Sequence, residues 1–371
     1  MKYQFPVITN IDQARLAIKD RPEFVEAVRD GYTVFNYNLS KEDSFDCHIR
    51  RECRGLIFCN QTGKVLARRL HKFFNMNERE ETLQDNIDWD VPHIVLDKLD
   101  GSMITPFMLN DEVRWATKMG ITDIALDCEK FVRNNPKYNR FAAFCIANNT
   151  TPIFEYVGPK NRIVIEYNQE DLILLAIRYN QSGEYLKRDY VNGLAYLDNI
   201  PIVQKYKGSL DQLKEQTDIE GVIVQFEDGH MVKVKTDWYV AIHKAKENIL
   251  FEKNVIKLIL EEKLDDIIPD LPKKDADQLN AYKDGLIQSI EKLSNECQSV
   301  IDWCKQQQYN RKQLAEHVMS VVPEFTRSII FSCYDDPSKL KDEWVKKILK
   351  KTGSQSDVDS IRDYLGVSWN V

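Results

Sequence analysis

Near its hundredth residue the chain reads His93-Ile94-Val95-Leu96-Asp97-Lys98-Leu99-Asp100-Gly101. The apolar run from His93 to Leu96 is typical of a β-strand, and Asp100-Gly101 is a turn signal. A lysine that leaves a strand just before such a turn is placed to act as a nucleophile, and the glycine lets backbone approach a phosphate. Lys98 and Gly101 are therefore candidate site residues. The competing interpretation is a surface hairpin turn with a solvated lysine.

Short strand-like runs lie on both sides of this segment and are separated by turn sequences such as Asn60-Gln61-Thr62-Gly63. The runs span residues 55–58, 93–96, 153–157, 172–177, 221–226 and 231–235. Helical patterns interrupt them near 24–28 and 121–131, and 11 of the 14 glycines precede residue 246. The pattern predicts an α+β domain over residues 1–245, with mainly antiparallel sheets and flanking helices.

After residue 240 the hydrophobic period changes. Apolar residues at spacings of three, four and seven predict an amphipathic helix of about eight turns. They are Leu279, Tyr282, Leu286, Leu293, Cys297, Val300 and Cys304. Shorter helical patterns follow at 311–321, 339–350 and 356–365. We therefore predict an all-α C-terminal domain over residues 246–371.

Length and charge restrict the function. The 371 residues suggest two domains, at roughly 150 residues each. With 51 basic and 58 acidic residues, the net charge of −7 argues against a protein that coats nucleic acid or anionic membrane through bulk charge. Any polyanion must then be held in a local basic cleft. The chain shows no apolar run of membrane-spanning length and no secretory signal, so we expect a cytoplasmic protein with no membrane contact. Its eight cysteines form no zinc pattern, so we expect reduced thiols.

Five further segments carry side chains suited to nucleotide chemistry. They are Arg51-Glu52-Cys53-Arg54-Gly55, His71-Lys72-Phe73-Phe74-Asn75, Phe154-Glu155-Tyr156-Val157, Ile219-Glu220-Gly221 and Lys233-Val234-Lys235-Thr236-Asp237-Trp238-Tyr239. A lysine must lose its proton before it attacks phosphorus, and nearby cations or a divalent metal favour that loss. Lys233 and Lys235 share one face of a strand and would supply such cations. Glu155 and Glu220 would supply the oxygen ligands that magnesium prefers, and a bound triphosphate would be neutralised by the same cations.

In this order and at this spacing, the segments resemble the motifs of the covalent nucleotidyltransferases, the superfamily of polynucleotide ligases and capping enzymes. DNA ligases and capping enzymes usually carry an arginine two residues after the glycine of the lysine motif, whereas Ser102-Met103 follows Gly101 here. The chain resembles the RNA ligase 1 family of T-even bacteriophages in five motifs, which read K-x-D-G-S, E-C-R-G, K-F-F-N-x-N-E, N-R-I-V and K-x-K-x-D-W-Y. The resemblance runs from about residue 35 to residue 240 and covers over half of the chain.

The resemblance implies a nucleotidyltransferase (adenylyltransferase) domain over residues 1–245 and a helical domain over 246–371 that selects RNA or tRNA. It implies that Lys98 forms a lysyl–AMP. The residues implied to contact ATP or its phosphates are Tyr37, Arg54, Lys72, Lys118, Lys233 and Lys235. Those implied to serve the sugar, the metal or catalysis are Glu155, Glu220, Tyr239, Asp265 and Asp266.

The implied activity is that of an ATP-dependent RNA ligase that joins a 5′-phosphate to a 3′-hydroxyl through lysyl–AMP and an RNA-adenylate. Mg²⁺, or Mn²⁺ in its place, is the implied metal. The implied substrate is RNA, in particular a tRNA nicked in its anticodon loop, with ends prepared by a polynucleotide kinase–phosphatase.

Other interpretations stay open. A DNA ligase or a capping-type nucleotidyltransferase normally has a strand-rich OB-fold after the lysine pair, which the glycine-poor helical tail disfavours. A non-catalytic RNA-binding protein with a ligase-like fold is a third possibility. Among single residues, Glu155 could instead form a structural ion pair with Arg162. Asp265 and Asp266 could simply cap or solvate a helix end.

Overall fold

The computed structural model describes residues 3–265 and 267–369. The chain divides into two compact units, Met1–Val240 and Ala241–Val371. The division lies within a helix, Asp237–Ile249, which also contains the predicted boundary between residues 245 and 246.

Three four-stranded sheets make up the framework of the described part of the first unit. Its strands are β1 (Phe24–Val28), β2 (Tyr32–Tyr37), β3 (Leu56–Cys59), β4 (Val65–Ala67), β5 (Phe74–Asn75), β6 (His93–Asp97), β7 (Ser102–Leu109), β8 (Glu112–Ala116), β9 (Thr150–Val157), β10 (Asp171–Tyr179), β11 (Gly221–Phe226) and β12 (Met231–Lys235). The sheet orders are β1-β2-β3-β4, β10-β9-β7-β8 and β5-β12-β11-β6. Paired strands run antiparallel, apart from β5 and β12, which are parallel.

Helices flank these sheets and form the regular structure that follows them. In the first unit they are α1 (Ile11–Ile18), α2 (His48–Glu52), α3 (Asp123–Asn134), α4 (Lys137–Ala147) and α5 (Arg188–Leu197), and α6 (Asp237–Ile249) follows β12. The second unit continues with α7 (Glu252–Leu260), α8 (Lys273–Gln306), α9 (Arg311–Val321), α10 (Glu324–Cys333), α11 (Leu340–Leu349), α12 (Gln355–Asp359) and α13 (Arg362–Leu365). Single 3₁₀ turns occur at Glu80–Thr82, Gln84–Asn86, Pro159–Asn161, Leu213–Glu215, Ile268–Asp270 and Pro337–Lys339.

The predicted helix at residues 24–28 is wrong, because this segment is strand β1. Its residues pair with β2 from Phe24 opposite Tyr37 to Val28 opposite Thr33. Five residues are too few for a helix to be stable without packing, so the neighbouring strand decides the conformation. The predicted helical segment at 356–365 is two short helices, α12 and α13.

The third sheet brings three chain segments to one edge. β11 lies between β6 and β12 and runs antiparallel to both, so the end of β6, the start of β11 and the end of β12 coincide. Gly221 is paired with Lys235, and the backbone N–H of Lys98 donates to the Gly221 carbonyl at 2.9 Å. Lys98, Glu220 and Lys235 therefore emerge from three neighbouring strands at the same edge.

The second unit packs around α8, whose 34 residues confirm the predicted long amphipathic helix. Its buried stripe packs with Trp344 of α11 in one hydrophobic core, and consists of Leu279, Tyr282, Leu286, Ile290, Ser294, Cys297, Ile301 and Cys304. Within residues 241–265 and 267–369 the regular elements are helices. Across the described residues, no helix combines the length and the apolar character that a membrane span requires.

Candidate active site

Glu220 holds two lysines at the edge of the third sheet. Its Oε1 atom lies 2.5 Å from Nζ of Lys98 and 3.2 Å from Nζ of Lys235. The Glu220 side chain is only 4% exposed, while those of Lys98 and Lys235 are 22% and 28% exposed. The lysines therefore reach solvent, and the carboxylate that joins them does not. The structure thus brings together three of the residues predicted from sequence.

Asp100 connects the turn after Lys98 to two distant segments. Its Oδ2 atom accepts the backbone N–H groups of Val164 and Ile165, each at 2.7 Å. Its Oδ1 atom accepts the hydroxyl of Tyr239 at 2.7 Å. The backbone N–H of Asp100 itself donates to the Tyr167 hydroxyl at 3.1 Å. The sequence placed Asp100 only in a turn, whereas the structure makes it the buried acceptor that fixes this turn.

Tyr239 lies between this turn and the lysine pair. Its ring is 4.8 Å from Nζ of Lys235, within cation–π distance, and its hydroxyl donates to Asp100. Burial raises the pKa of the Tyr239 hydroxyl, and the charges of Glu220 and Asp100 raise it further. Tyr239 therefore stays a neutral hydrogen-bond donor, a structural position that the sequence alone did not reveal.

Gly101 meets a packing requirement. A Cβ atom at this position would lie 2.4 Å from the Tyr156 carbonyl oxygen and 2.9 Å from a methyl carbon of Val157. Real Cβ atoms do not approach backbone this closely, so the start of β7 can lie against β9 only with glycine here.

Glu155 lies on β9, half-buried beside the lysines. Burial raises its pKa from an ordinary value near 4.5 to about 8; the negative charges of Glu220 and Asp100 contribute, against the opposing pull of Lys98 and Arg54. In the described residues no salt bridge joins Glu155 to Arg162, whose guanidinium lies 4.0 Å from Glu166 instead. The alternative structural ion pair is thus absent there, and the raised pKa of Glu155 favours its protonated form in the ligand-free protein.

Lys233 points into a crowded basic region. Burial lowers its pKa to about 6, and the nearby charges of Arg54, Lys72 and Lys98 act in the same direction. Its Nζ atom lies 5.0 Å from the centroid of the Phe73 ring. A half-buried lysine close to several other cations is a favourable place for a polyanion, because an added negative charge relieves their repulsion.

Tyr37 brings two more of the predicted residues together. Lys72 Nζ lies 5.5 Å from the centroid of the Tyr37 ring, and Lys118 Nζ lies 5.8 Å from it. The aromatic rings of Phe45 and Phe74 also lie within 5.2 Å of the Lys72 amine. The π faces thus contact two ammonium groups for which the described residues supply no salt-bridge carboxylate.

In the segment from Arg51 to Arg54, Glu52 stabilises the fold and Arg54 lies near the candidate site. Glu52 is buried and forms ion pairs at 2.9 Å with Arg68 and Arg178, which are also buried. Burial opposes its ionisation, but the two arginines outweigh that effect and lower the pKa of Glu52 to about 2. Arg54, by contrast, lies close enough to influence the ionisation of Glu155 and Lys233.

The predicted acidic pair belongs to the second unit. Asp265 is a surface residue with an 83% exposed side chain, and it lies 3.7 Å from Nζ of Lys283. Asp266 lies outside the described residues. In residues 3–265 and 267–369, no group of three or more His, Cys, Asp or Glu side chains is arranged to hold a metal ion. A metal at Glu155 and Glu220 would therefore depend on oxygen atoms from a substrate or water as additional ligands.

The sequence is similar to those of several known proteins. A family model described as RNA ligase matches residues 52–239, just over half of the chain. A protein of Thermovibrio ammonificans assigned as an RNA ligase is 29% identical over 279 residues, which cover 70% of this chain and 73% of that protein. RNA ligase 1 of bacteriophage TS2126 is 26% identical over 275 residues, covering 69% of this chain and 67% of the phage protein.

Two further matches cover a smaller share of the other protein. A protein of Autographa californica nuclear polyhedrosis virus assigned as a bifunctional polynucleotide kinase/RNA ligase is 26% identical over 273 residues, 64% of this chain and 37% of that protein. A solved structure of a Naegleria gruberi RNA ligase mutant with ATP and Mn covers 41% of this chain and 51% of its own, with 17% identity and a TM-score of 0.35. The chain thus spans about half of the Naegleria protein.

The family match includes the elements that build the site. Residues 52–239 contain Lys98, Glu155, Glu220, Lys235 and Tyr239. Because the match covers more than half of the chain, this protein belongs to the RNA ligase family.

Proposed function

We propose that the protein is an ATP-dependent RNA ligase whose nucleophile is Lys98. The main support is the position of this lysine, at the end of β6 and 2.5 Å from Glu220, with Lys235 on the other side of the same carboxylate. In the first step Nζ of Lys98 attacks the α-phosphorus of ATP. A phosphorus–nitrogen bond forms, the bond to the β-phosphate bridging oxygen breaks, pyrophosphate leaves, and the amine gives up its proton.

Two further transfers complete the proposed reaction. An oxygen of the RNA 5′-phosphate attacks the AMP phosphorus and breaks its bond to Lys98, which yields an RNA-adenylate. The RNA 3′-hydroxyl then attacks the 5′-phosphorus and loses its proton, a new phosphodiester forms, and AMP leaves. All three steps displace a group at a phosphorus whose surrounding negative charge must be stabilised.

The basic residues are proposed to provide that stabilisation. The charges of Arg54 and Lys72 help to lower the pKa of Lys233, and Lys118 and Lys72 both lie over the Tyr37 ring. A triphosphate that enters this region would return Lys233 to its protonated form, because it replaces cation repulsion with attraction. The chain's net charge of −7 is no obstacle, since these cations are concentrated locally.

Glu155 and Glu220 are the residues that would hold Mg²⁺, or Mn²⁺ in its place. Magnesium is commonly bound by one or two carboxylates together with substrate phosphates and water, which fits this pair of acids. When bound, such an ion neutralises phosphate charge. Asp265 and Asp266 are proposed separately, as magnesium contacts of the helical unit.

The helical unit is proposed to contact the RNA substrate, with a nicked tRNA as the candidate. Trp303 is 41% exposed, and its ring stacks on His317 with a centroid separation of 4.4 Å, which suits base stacking. Burial and the charges of Lys351 and Lys350 lower the pKa of Lys347, so these three lysines lie close together as phosphate contacts would require. A role beside a polynucleotide kinase–phosphatase finds support in the viral relative that is assigned both kinase and ligase activities.

End-joining assays with different donors test this function. The protein should consume ATP rather than GTP and should join RNA 5′-phosphate and 3′-hydroxyl ends. Use of GTP without end joining would point to a capping-type transferase, and preference for DNA ends would point to a DNA ligase. RNA binding with no nucleotide transfer would indicate a non-catalytic binding protein, and each of these results would overturn the proposal.

The tRNA assignment has its own test. Trp303→Ala should weaken sealing of a nicked tRNA more than sealing of a linear oligonucleotide, while formation of lysyl–AMP stays unchanged. Phe331→Ala is the matched control, because Phe331 is also an exposed aromatic residue of the helical unit, at 42% exposure. Equal effects of the two variants on both RNAs would contradict a tRNA contact at Trp303.

A further inference from the structure

Arg69 is a buried guanidinium that lies outside the set of proposed ATP contacts. It follows β4 and is 2% exposed. One terminal nitrogen donates to the carbonyl of Gly55, and the other donates to the carbonyl of Ala116 at 2.8 Å. The side chain therefore spans two backbone segments that lie far apart in the sequence.

Burial of this cation is energetically costly. In the described residues no carboxylate forms a salt bridge with Arg69, and its Nε atom has no hydrogen-bond partner. Burial, together with the charge of Arg54, lowers the pKa of Arg69 to about 9. A buried charge without a counter-ion is destabilising by itself. What Arg69 supplies, and an apolar residue could not, is a pair of hydrogen bonds that joins the Gly55 and Ala116 carbonyls.

The two carbonyls belong to the segments that carry Arg54 and Lys118. Gly55 follows Arg54 directly, and Ala116 precedes Lys118 by two residues. Gly55 has a φ of +88°, and a Cβ at this position would lie 2.6 Å from the Lys118 Cα. The two backbones are thus in direct contact, and the guanidinium holds them together from the buried side.

Arg69 is itself fixed by the buried acid–arginine group. Its carbonyl accepts a hydrogen bond from Arg178, one of the two partners of Glu52. The backbone N–H of Arg54 donates to the Glu52 carbonyl at 2.7 Å. A continuous set of contacts therefore runs from the buried ion pairs through Arg69 to both cationic segments.

We propose that Arg69 is a positioning residue that sets the spacing between Arg54 and Lys118 and thereby the affinity of the site for ATP. This inference rests on the proposed function, because it assigns ATP to these two cations. Arg69 touches neither the nucleotide nor Lys98 in this account. Its loss should therefore weaken ATP binding more than it slows the transfer of AMP from bound ATP to the enzyme.

The chain offers a matched control in Arg188. This arginine also donates to two backbone carbonyls, those of Leu175 at 2.9 Å and Val203 at 2.6 Å, and burial lowers its pKa to about 10. It joins segments that carry none of the proposed ATP contacts. Arg69→Met and Arg188→Met each leave two backbone carbonyls without their guanidinium donor, so the melting temperature of both is measured, while only Arg69→Met should change the response to ATP.

The experiment measures equilibrium ATP binding by calorimetry and, separately, lysyl–AMP formation as a function of ATP concentration. Arg69→Met should raise the Kd and the KM for ATP about tenfold, with a smaller change in the maximal rate, since misplaced contacts commonly cost one to two orders of magnitude. Arg188→Met should leave both constants within about twofold. Arg69→Lys, which keeps the charge but cannot span both carbonyls, should fall between wild type and Arg69→Met and serves if the methionine variant does not fold.

The outcomes separate this inference from the proposed function. Unchanged Kd and KM in Arg69→Met or Arg69→Lys, or equal effects in the Arg188 control, would overturn the positioning role. Wild-type protein that binds ATP but forms no lysyl–AMP would refute the ligase proposal and leave the binding comparison to decide the role of Arg69. Wild-type protein that binds no ATP would refute both.

Discussion

The Nζ atom of Lys98 lies 2.5 Å from Oε1 of Glu220, and the same oxygen lies 3.2 Å from Lys235. One buried carboxylate thus forms ion pairs with both the proposed nucleophile and a neighbouring lysine. The arrangement follows from strand pairing, since Gly221 pairs with Lys235 and its carbonyl accepts the N–H of Lys98. Replacing this carboxylate should therefore disturb the chemistry more than the fold.

Glu220→Gln should reduce lysyl–AMP formation by about tenfold or more, because the amide holds the two lysines less firmly in place and is a poorer ligand for the proposed magnesium ion. The rate is measured with labelled ATP under single-turnover conditions. Glu129→Gln is the control. Glu129 also forms an ion pair, with Arg114 at 2.8 Å, but it is not one of the candidate site residues. If the two variants lose activity equally, Glu220 has no special role in adenylylation.

Tyr239→Phe should lower both stability and activity. It removes the hydroxyl that donates to buried Asp100 at 2.7 Å, and an unpaired buried acceptor costs about 1–3 kcal/mol. Tyr138→Phe is a matched variant, because Tyr138 is also buried and donates to Asp171 at 3.1 Å. Thermal unfolding should show a loss in both proteins, whereas lysyl–AMP formation should fall only in Tyr239→Phe. A fully active Tyr239→Phe protein would show that this hydrogen bond does not support the site.

Gly101→Ala should unfold more easily and lose adenylylation. The added Cβ would lie 2.4 Å from the Tyr156 carbonyl oxygen, so β7 or β9 would have to move. Gly193→Ala provides the contrast, because nothing lies within 4 Å of a Cβ there and Gly193 is inside helix α5. Alanine at that helix position should stabilise the protein by about 0.5–1 kcal/mol. Wild-type melting behaviour of Gly101→Ala would contradict the packing described for this turn.

Glu155→Gln should raise the melting temperature of the ligand-free protein at alkaline pH. The pKa of Glu155 is raised from about 4.5 to about 8, so the stability that this carboxyl provides is complete below pH 4.5 and is lost as the pH rises through 8. The amide does not titrate, so its advantage should grow between these values to a few degrees and then level off.

Lys233→Met should show the opposite pH dependence. The pKa of Lys233 is lowered from 10.5 to about 6, so wild-type stability falls as the pH decreases from 10.5 towards 6. The advantage of methionine should therefore increase as the pH falls and become constant below about 6. The melting temperature of each variant is compared with that of the wild type across pH 5–10. A constant difference over this range would contradict the pKa shifts of Glu155 and Lys233.

Much of the sheet framework can be predicted from local sequence. The apolar runs that end at Lys98 and Lys235, and the run that begins after Glu220, have clear strand signals and turn boundaries. Once these strands pair as antiparallel neighbours, the three charged residues must meet at one edge. The helix prediction for residues 24–28 was wrong because five residues show too little periodicity to distinguish a strand from a helix.

The buried polar contacts could not be predicted in the same way. Glu52 pairs with Arg178, which is 126 residues away, and Asp100 accepts from Tyr239, which is 139 residues away. The local hydrophobic period of the sequence does not predict such partners, because they depend on how separate elements pack. A signal was nevertheless present at Asp100, since an acid enclosed in a glycine turn beside apolar strands needs donors if it is buried.

The most direct test of the central claim is covalent labelling with α-labelled ATP and magnesium, followed by acid denaturation. Wild-type protein should retain the label through a phosphorus–nitrogen bond, Lys98→Ala should retain none, and Lys214→Ala, which changes an exposed lysine, should behave as wild type. Label on wild type and Lys98→Ala alike, or on neither, would contradict the assignment of Lys98 as the nucleophile.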